Sequence, residues 1–336
     1  METIKFDFSR QSVDYHFDAS LADLQTLVPQ RKSVVVTDQH IFDLHQDKFK
    51  GWDTIVLDAG EKYKVQSTID SIILQLVHIG ADRQTTLIGV GGGVVTDIVG
   101  YAASVFMRGI PFGFVPTSLL AMVDASIGGK NGIDVGLYKN MVGTINQPSF
   151  VLYDASFLET LPEKEWRNGF AEIIKHACIK DAQLFDQLEG SSLADYKANP
   201  GLLQDLIKRN VLIKTSVVQE DEFEKGERRL LNFGHTLAHA IETQYDLMHG
   251  EAVAIGMVFA SRLSQMHLKF EGHSRLQSLV EQYSLPATID FDKDKVFEVL
   301  KSDKKKESDF MNFVLLQELG KATIEKIPLE SLHNYL

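Results

Sequence analysis

The stretch Thr86-Leu87-Ile88-Gly89-Val90-Gly91-Gly92-Gly93-Val94-Val95-Thr96-Asp97 decides how the first half of this chain is read. Its apolar start, residues 86–90, has the length and composition of a buried parallel strand. The glycines then break the strand, and Val94-Val95 opens an apolar helical pattern. Glycine lets an anionic group approach backbone N–H groups at the start of such a helix. Val94 stands where a G-x-G-x-x-G dinucleotide fingerprint has its third glycine, so the pattern is not that motif. Alone, the triple glycine fits either a nucleotide site or a plain tight turn from strand to helix.

Working outward, residues 33–37 and 54–57 read as further buried strands, and residues 112–116 and 150–153 continue the series. Between 54–57 and 86–90, Ile69, Ile72, Ile73, Leu76 and Val77 recur at helical spacing. Strand, helix, strand implies a parallel sheet. After about residue 154 the pattern turns helical, over residues 163–180, 201–218, 236–245, 251–267 and 274–283. Residues 312–316 read as a short strand or the edge of a helix. The expected architecture is an α/β, Rossmann-like nucleotide domain over 1–155, followed by a mostly α-helical metal- and substrate-binding domain over 156–336. The active site is expected between the two.

Composition narrows the class. The chain has 336 residues, 44% hydrophobic and 24% charged, the balance of an ordinary globular protein of two domains. The one cysteine, Cys178, excludes an intrachain disulfide framework and a Cys-rich metal site. With a start, METIKFDFSRQS, that has no apolar signal core, it points to a reducing, cytoplasmic setting. The longest apolar stretch, 94–107, contains Asp97 and is too short to span a bilayer. A formal charge of -12 argues against nucleic-acid binding. It also means that an anionic substrate needs a local basic pocket.

Polar residues on apolar helices carry the chemistry. Glu172 and Lys175 share one face of an otherwise apolar helix at i, i+3, and a buried carboxylate needs a partner. His235 and His239 stand at i, i+4, without the glutamate of H-E-x-x-H. His249 and Glu251 open a further apolar helix. One glutamate with two histidines makes a sound catalytic zinc set, with positions left open for substrate. Spacing leaves open which two histidines bind. Asp38, Glu61 and Lys64 stand in loops after strands, where they could hold ribose hydroxyls. Arg108, Lys130, Lys139, Lys214, Arg228 and Lys304-Lys305 are further cations scattered through both halves. Several of them converging would make a pocket for phosphate and carboxylate.

Taken together, these segments resemble the 3-dehydroquinate synthase family of sugar-phosphate cyclases. The resemblance rests on Gly91 to Asp97, Arg108-Gly109, Val115 to Leu120, Val123 to Lys130 and Lys139 to Gly143 in the first half. The second half adds Ala171 to Lys175, Leu230 to His235, His239 to Glu242 and His249 to Val253. It implies zinc, or cobalt in its place, on Glu172, His235 and His249. His239 is left as catalytic base or relay, and Lys175, Asp124 and Asn232 join it in the chemistry. It implies NAD contacts at Asp38, Glu61, Lys64, Gly91, Gly92, Gly93, Asp97, Thr117, Ser118, Lys139, Phe157, Thr160, Leu161 and Glu165. Substrate contacts are implied at Arg108, Lys130, Asn140, Lys214, Arg228, Lys304 and Lys305, with Arg108 reaching across a homodimer interface. Two positions depart from the family pattern. Phe223 stands where many members have arginine, and Asn131-Gly132 follows Lys130 where Thr-Ala or Thr-Gly is usual.

The implied reaction converts 3-deoxy-D-arabino-heptulosonate 7-phosphate to 3-dehydroquinate by transient NAD oxidation, phosphate elimination, re-reduction and intramolecular aldol closure. Cyclases of the valiolone or deoxy-inosose type act on substrates without a carboxylate, for which Lys214 and Arg228 would be unneeded. An NAD- and metal-dependent alcohol or glycerol dehydrogenase shares the two-domain plan but would accumulate NADH. A catalytically silent NAD-binding protein would not need the metal and basic residues.

Overall fold

The computed structural model describes residues 1–336 apart from 137, 243, 303–305 and 308. Lys304 and Lys305 therefore lie outside the described residues. The chain forms two compact units, Met1–Glu165 with Gln204–Phe223, and Trp166–Leu203 with Glu224–Leu336.

The first unit carries strands β1 (Glu2–Asp7), β2 (Ser12–Phe17), β3 (Ser33–Asp38), β4 (Asp53–Leu57), β5 (Thr86–Gly91), β6 (Phe112–Pro116), β7 (Lys130–Val135), β8 (Tyr138–Ile145) and β9 (Phe150–Leu152). Its helices are α1 (Leu24–Leu27), α2 (Gln39–His45), α3 (Gln66–His78), α4 (Gly93–Val105) and, from Gln204 onward, most of α8 (Pro200–Glu220). A seven-stranded sheet runs β1-β2-β9-β6-β5-β3-β4. It is parallel except for the β1–β2 pair at its edge. The strands read from β-branched runs are its buried centre: Val34, Val35 and Val36 pair with Leu87, Ile88 and Gly89. Residues 67–77 form α3, as the spacing predicts, burying Ile69, Ile72 and Leu76.

From β3 the chain moves outward to β4, and from β5 it moves the other way to β6. The carboxyl ends of β3 and β5 therefore meet at a reversal of strand order, where open α/β sheets bind ligands. Asp38 ends β3 and Gly91 ends β5. The antiparallel β1–β2 ribbon and the separate β7–β8 hairpin are additions to the sequence reading.

The second unit holds most of α5 (Glu163–Lys180), then α6 (Ala182–Glu189), α7 (Leu193–Ala198) and the first turn of α8 (Pro200–Glu220). It continues with α9 (His235–Glu242), α10 (His249–Leu268), α11 (His273–Gln282), α12 (Lys293–Ser302), β10 (Lys306–Glu307), β11 (Phe310–Glu318), β12 (Lys321–Pro328) and α13 (Leu329–Tyr335). Residues 312–316 are resolved as strand, in β11, which pairs with β12. Helices α5 and α10 are buried on nearly all sides, so each is a core helix. Phe170 of α5 stacks on Tyr283 with ring centroids 4.6 Å apart. Among the described residues, no helix is long and apolar enough to cross a membrane.

Candidate functional site

The second unit gathers the metal-type ligands. Glu172 is 0% exposed in the middle of α5, among Ala171, Ile173 and Ile174. Its Oε1 lies 3.0 Å from His249 Nε2 and 3.5 Å from His235 Nε2. Ligand atoms of the three residues all lie within 4.8 Å of one another. Donors about 2.0–2.1 Å from a shared tetrahedral ion stand about 3.3 Å apart, so these spacings suit a divalent cation. Zinc and cobalt both take this donor set.

Protonation fits as well. Burial pushes the Glu172 carboxyl up, but Lys175 and the two imidazoles outweigh it and hold the group well below the usual range. Lys175, itself 2% exposed, pairs through Nζ with Glu172 Oε2. Burial lowers the His235 pKa, favouring the neutral ring. Its Nδ1 lies 3.1 Å from the Phe233 carbonyl; donation there leaves the Nε2 lone pair facing Glu172. Burial opposes protonation of His249 too, yet Glu172 and Glu242 lift it to about 9. A cation at this position would displace that proton.

Around the triad, the His239 ring is exposed and stands 5.7 Å from that of His235. Arg228, 2% exposed, lies in the 3-10 turn Glu227–Asn232 that leads toward α9. Asn232, at the end of that turn, donates from Nδ2 to Glu224 Oε1 at 2.9 Å. Glu242 faces His249 Nδ1 at 3.7 Å. Neither Glu224 nor Glu242 was a sequence candidate, because one acidic residue in a turn or at a helix end reads as a solvated charge. The run His239-Ala240-Ile241-Glu242 held a signal: at the α9 end, Glu242 lies one turn beyond His239.

In the first unit, Gly92 caps α4 with no side-chain hydrogen bond. The first N–H groups of that helix have no intrahelical partners, as a phosphate cradle requires. A Cβ on Gly91 would lie 2.5 Å from Val95 side-chain atoms, so this turn admits only glycine there. Thr117 donates its N–H to the Gly91 carbonyl at 2.9 Å, which sets Thr117-Ser118 beside the turn. Asp38 Oδ1 accepts from Ile41 N at 3.1 Å and caps α2.

Lys64 gathers three further candidates into one network. Its Nζ lies 2.7 Å from Asp97 Oδ2, 2.7 Å from Asn140 Oδ1 and 3.7 Å from Glu61 Oε1. Burial pushes Asp97 up to about 6, against the pull of Lys64. Asn140 takes a left-handed backbone, φ 54°, with its N–H on Asp134 Oδ1. Nearby in sequence, a π-helical turn over Ala121–Ala125 precedes Gly128-Gly129. Asp124, on this turn, receives Lys214 Nζ on its Oδ1 at 2.8 Å and on its carbonyl at 2.7 Å.

The remaining candidates are more dispersed. Lys130 and Lys139 are exposed on the β7–β8 hairpin, and Arg108 is exposed with φ 67°. Phe157 is buried in the sheet core, and Thr160 Oγ1 lies 2.9 Å from His45 Nε2. Leu161 and Glu165 are half-buried at the start of α5 and just before it.

Residues 54–168 match the family described as 3-dehydroquinate synthase N-terminal, and residues 169–306 match 3-dehydroquinate synthase C-terminal. A 3-dehydroquinate synthase of Coxiella burnetii (strain CbuG_Q212) is 42% identical over 317 residues, covering 90% of this chain and 88% of that protein. A 2-epi-5-epi-valiolone synthase from Streptomyces hygroscopicus subsp. jinggangensis 5008, solved with NAD+ and Zn2+, superposes with TM-score 0.89 at 30% identity, over 98% of this chain and 97% of that one. A 2-deoxy-scyllo-inosose synthase solved with carbaglucose-6-phosphate, NAD+ and Co2+ gives TM-score 0.86 at 25% identity, over 99% and 98%.

Proposed function

This chain belongs to the 3-dehydroquinate synthase family, and from that premise we propose how its own residues serve the reaction. It converts 3-deoxy-D-arabino-heptulosonate 7-phosphate to 3-dehydroquinate and inorganic phosphate, by transient oxidation, phosphate elimination, re-reduction and intramolecular aldol closure. It is thus a phosphate-eliminating carbon–oxygen lyase, although its cofactor is a redox one. The observation that carries the residue assignment is the meeting of Glu172, His235 and His249 within ligand distance.

NAD and one divalent ion, zinc or cobalt, are the cofactors. When bound, NAD takes up and returns a hydride, while the ion polarises substrate hydroxyls as a Lewis acid. Glu172, His235 and His249 hold the ion. The α4 N-terminus at Gly91 to Gly93 receives the pyrophosphate, with Thr117 and Ser118 beside it. Asp38 binds a ribose hydroxyl, and Glu61, Lys64, Asp97, Lys139, Phe157, Thr160, Leu161 and Glu165 complete the nucleotide contacts. Met1–Glu165 with Gln204–Phe223 acts as the nucleotide half, and Trp166–Leu203 with Glu224–Leu336 as the metal half.

His239 accepts the hydroxyl proton, directly or through water, a role that its exposed ring next to His235 supports. Lys175 and Asp124 touch ring hydroxyls, and Asn232 orients the substrate. Lys214 and Arg228 hold the carboxylate. Lys130, Asn140, Lys304 or Lys305, and Arg108 from the other subunit of a homodimer grip the phosphate. Consecutive left-handed residues, Met107 at φ 48° and Arg108 at φ 67°, support a functional role there, because such strain persists where a site uses it. A cytoplasmic location and a small sugar-acid phosphate as the sole partner besides the second subunit complete the reading.

The experiment is incubation with the heptulosonate phosphate, zinc and a catalytic amount of NAD. Dehydroquinate and inorganic phosphate should form in equal amounts, many per NAD. Stoichiometric NADH without phosphate release would instead mark a dehydrogenase.

A further inference from the structure

We propose that Asn168 is a positioning residue for the metal centre: its side-chain amide anchors the first turn of α10 on α5 and so fixes His249 over Glu172. The inference rests on reading Glu172, His235 and His249 as the metal site.

Asn168 and Glu172 stand at i, i+4, so they share one face of α5, one turn apart. Asn168 is 7% exposed, and its Oδ1 accepts the backbone N–H of Gly250 at 2.6 Å. Gly250 immediately follows His249, the first residue of α10. The opening N–H groups of a helix have no intrahelical acceptor, and buried ones need partners from elsewhere. Here Glu251 Oε2 takes the Met248 N–H at 2.9 Å, and Asn168 takes that of Gly250. The approach is as close as backbone allows. A Cβ on Gly250 would lie 2.6 Å from the Asn168 carbonyl oxygen and 2.7 Å from its Cα.

The offset of His249 from Glu172 is thus set at one contact, a residue away from the imidazole and a turn away from the carboxylate. On its far side the His249 ring faces Glu242 through Nδ1 at a looser 3.7 Å. Metal ligands hold their distances to within about 0.2 Å, so a small drift of the α10 start would loosen the site. Supporting residues of this kind typically change metal affinity about 10- to 100-fold.

The test compares the parent with Asn168→Ala and Asn168→Ser, the serine keeping a shorter acceptor. Tyr283→Phe is the control: it removes a buried hydroxyl that bonds the Leu188 carbonyl in the same unit. Zinc affinity is read by competition with a chromophoric chelator, and ligand geometry by the visible absorption of the cobalt-loaded protein. Melting temperature of the metal-free protein is read alongside. Asn168→Ala should bind zinc about 10- to 100-fold more weakly and alter the cobalt spectrum. Asn168→Ser should fall between it and the parent, and decides the matter if the alanine variant does not fold. Tyr283→Phe should lower the melting temperature alone. Parent-like zinc affinity and cobalt spectrum in the Asn168 variants would overturn the proposal, whatever the melting temperature. A parent that binds no zinc, or a His235→Ala variant that binds it equally well, would instead overturn the metal assignment.

Discussion

A methyl group on Gly256 would lie 1.9 Å from the carbonyl oxygen of Gly234, so α10 and the turn before α9 touch backbone to backbone. Gly234 has φ 81°, a left-handed value, and directly precedes His235. The contact sets His235, at the start of α9, beside the helix that carries His249. Gly256→Ala should gain roughly 0.5–1 kcal/mol from helix propensity. It should lose more, about 1–3 kcal/mol, to a clash that no side chain can relieve. We expect a lower melting temperature together with weaker zinc retention. A variant as stable as the parent would show that the backbone yields there at little cost.

His235→Ala should lose zinc and activity together, since His235 supplies one of the three ligand atoms within 4.8 Å. Chelation of the parent should abolish turnover, and added zinc or cobalt should restore it. Metal analysis of the purified variant, beside a phosphate-release assay, checks both halves. A metal-free His235→Ala protein that still turned over would contradict the ligand assignment.

Arg228→Ala should raise KM for the carboxylate-bearing substrate. A charge-assisted hydrogen bond contributes about 1.5–3 kcal/mol, or roughly 10- to 100-fold in affinity. Arg228 is 2% exposed, so melting temperature should be measured alongside steady-state kinetics. Unchanged KM in a folded variant would remove Arg228 from the substrate site.

The legible parts of the fold were those where burial is two-sided. β3 and β5 are buried almost throughout and carry apolar centres, Val34 to Val36 and Leu87 to Val90, because both their faces are covered. β1 escaped notice because it is an edge strand with charged Lys5 and Asp7, partly or fully exposed along its length. The π-helical turn at Ala121–Ala125 is also silent in sequence, since its apolar residues would suit an ordinary helix equally well. Among site residues, His235 and His239 were visible from i, i+4 spacing, yet the ring meeting Glu172 beside His235 is that of His249. Spacing describes one helix, whereas this cluster joins three. Asn168 was invisible for the same reason: its partner is a backbone N–H 82 residues away.

Acid should weaken the first unit through Asp154. This buried carboxylate accepts from Leu21 N at 2.9 Å and Lys48 Nζ at 3.0 Å on Oδ2, and from Ser156 N at 3.1 Å on Oδ1. Burial pushes its pKa up, but the bonds from Ser156, Leu21 and Lys48 outweigh this and hold it below the usual value of 3.8. With the folded value depressed, the stabilisation is fully present above the unfolded pKa, about 3.9, and is lost as pH falls through the folded one. Asp154→Asn turns an amide donor toward donors and should cost about 1–3 kcal/mol at neutral pH. Melting temperatures of parent and variant should therefore differ most near pH 7 and converge below about pH 4. A gap that stayed constant down to the acid limit would show that ionisation of Asp154 contributes nothing, leaving only the loss of hydrogen-bond shape.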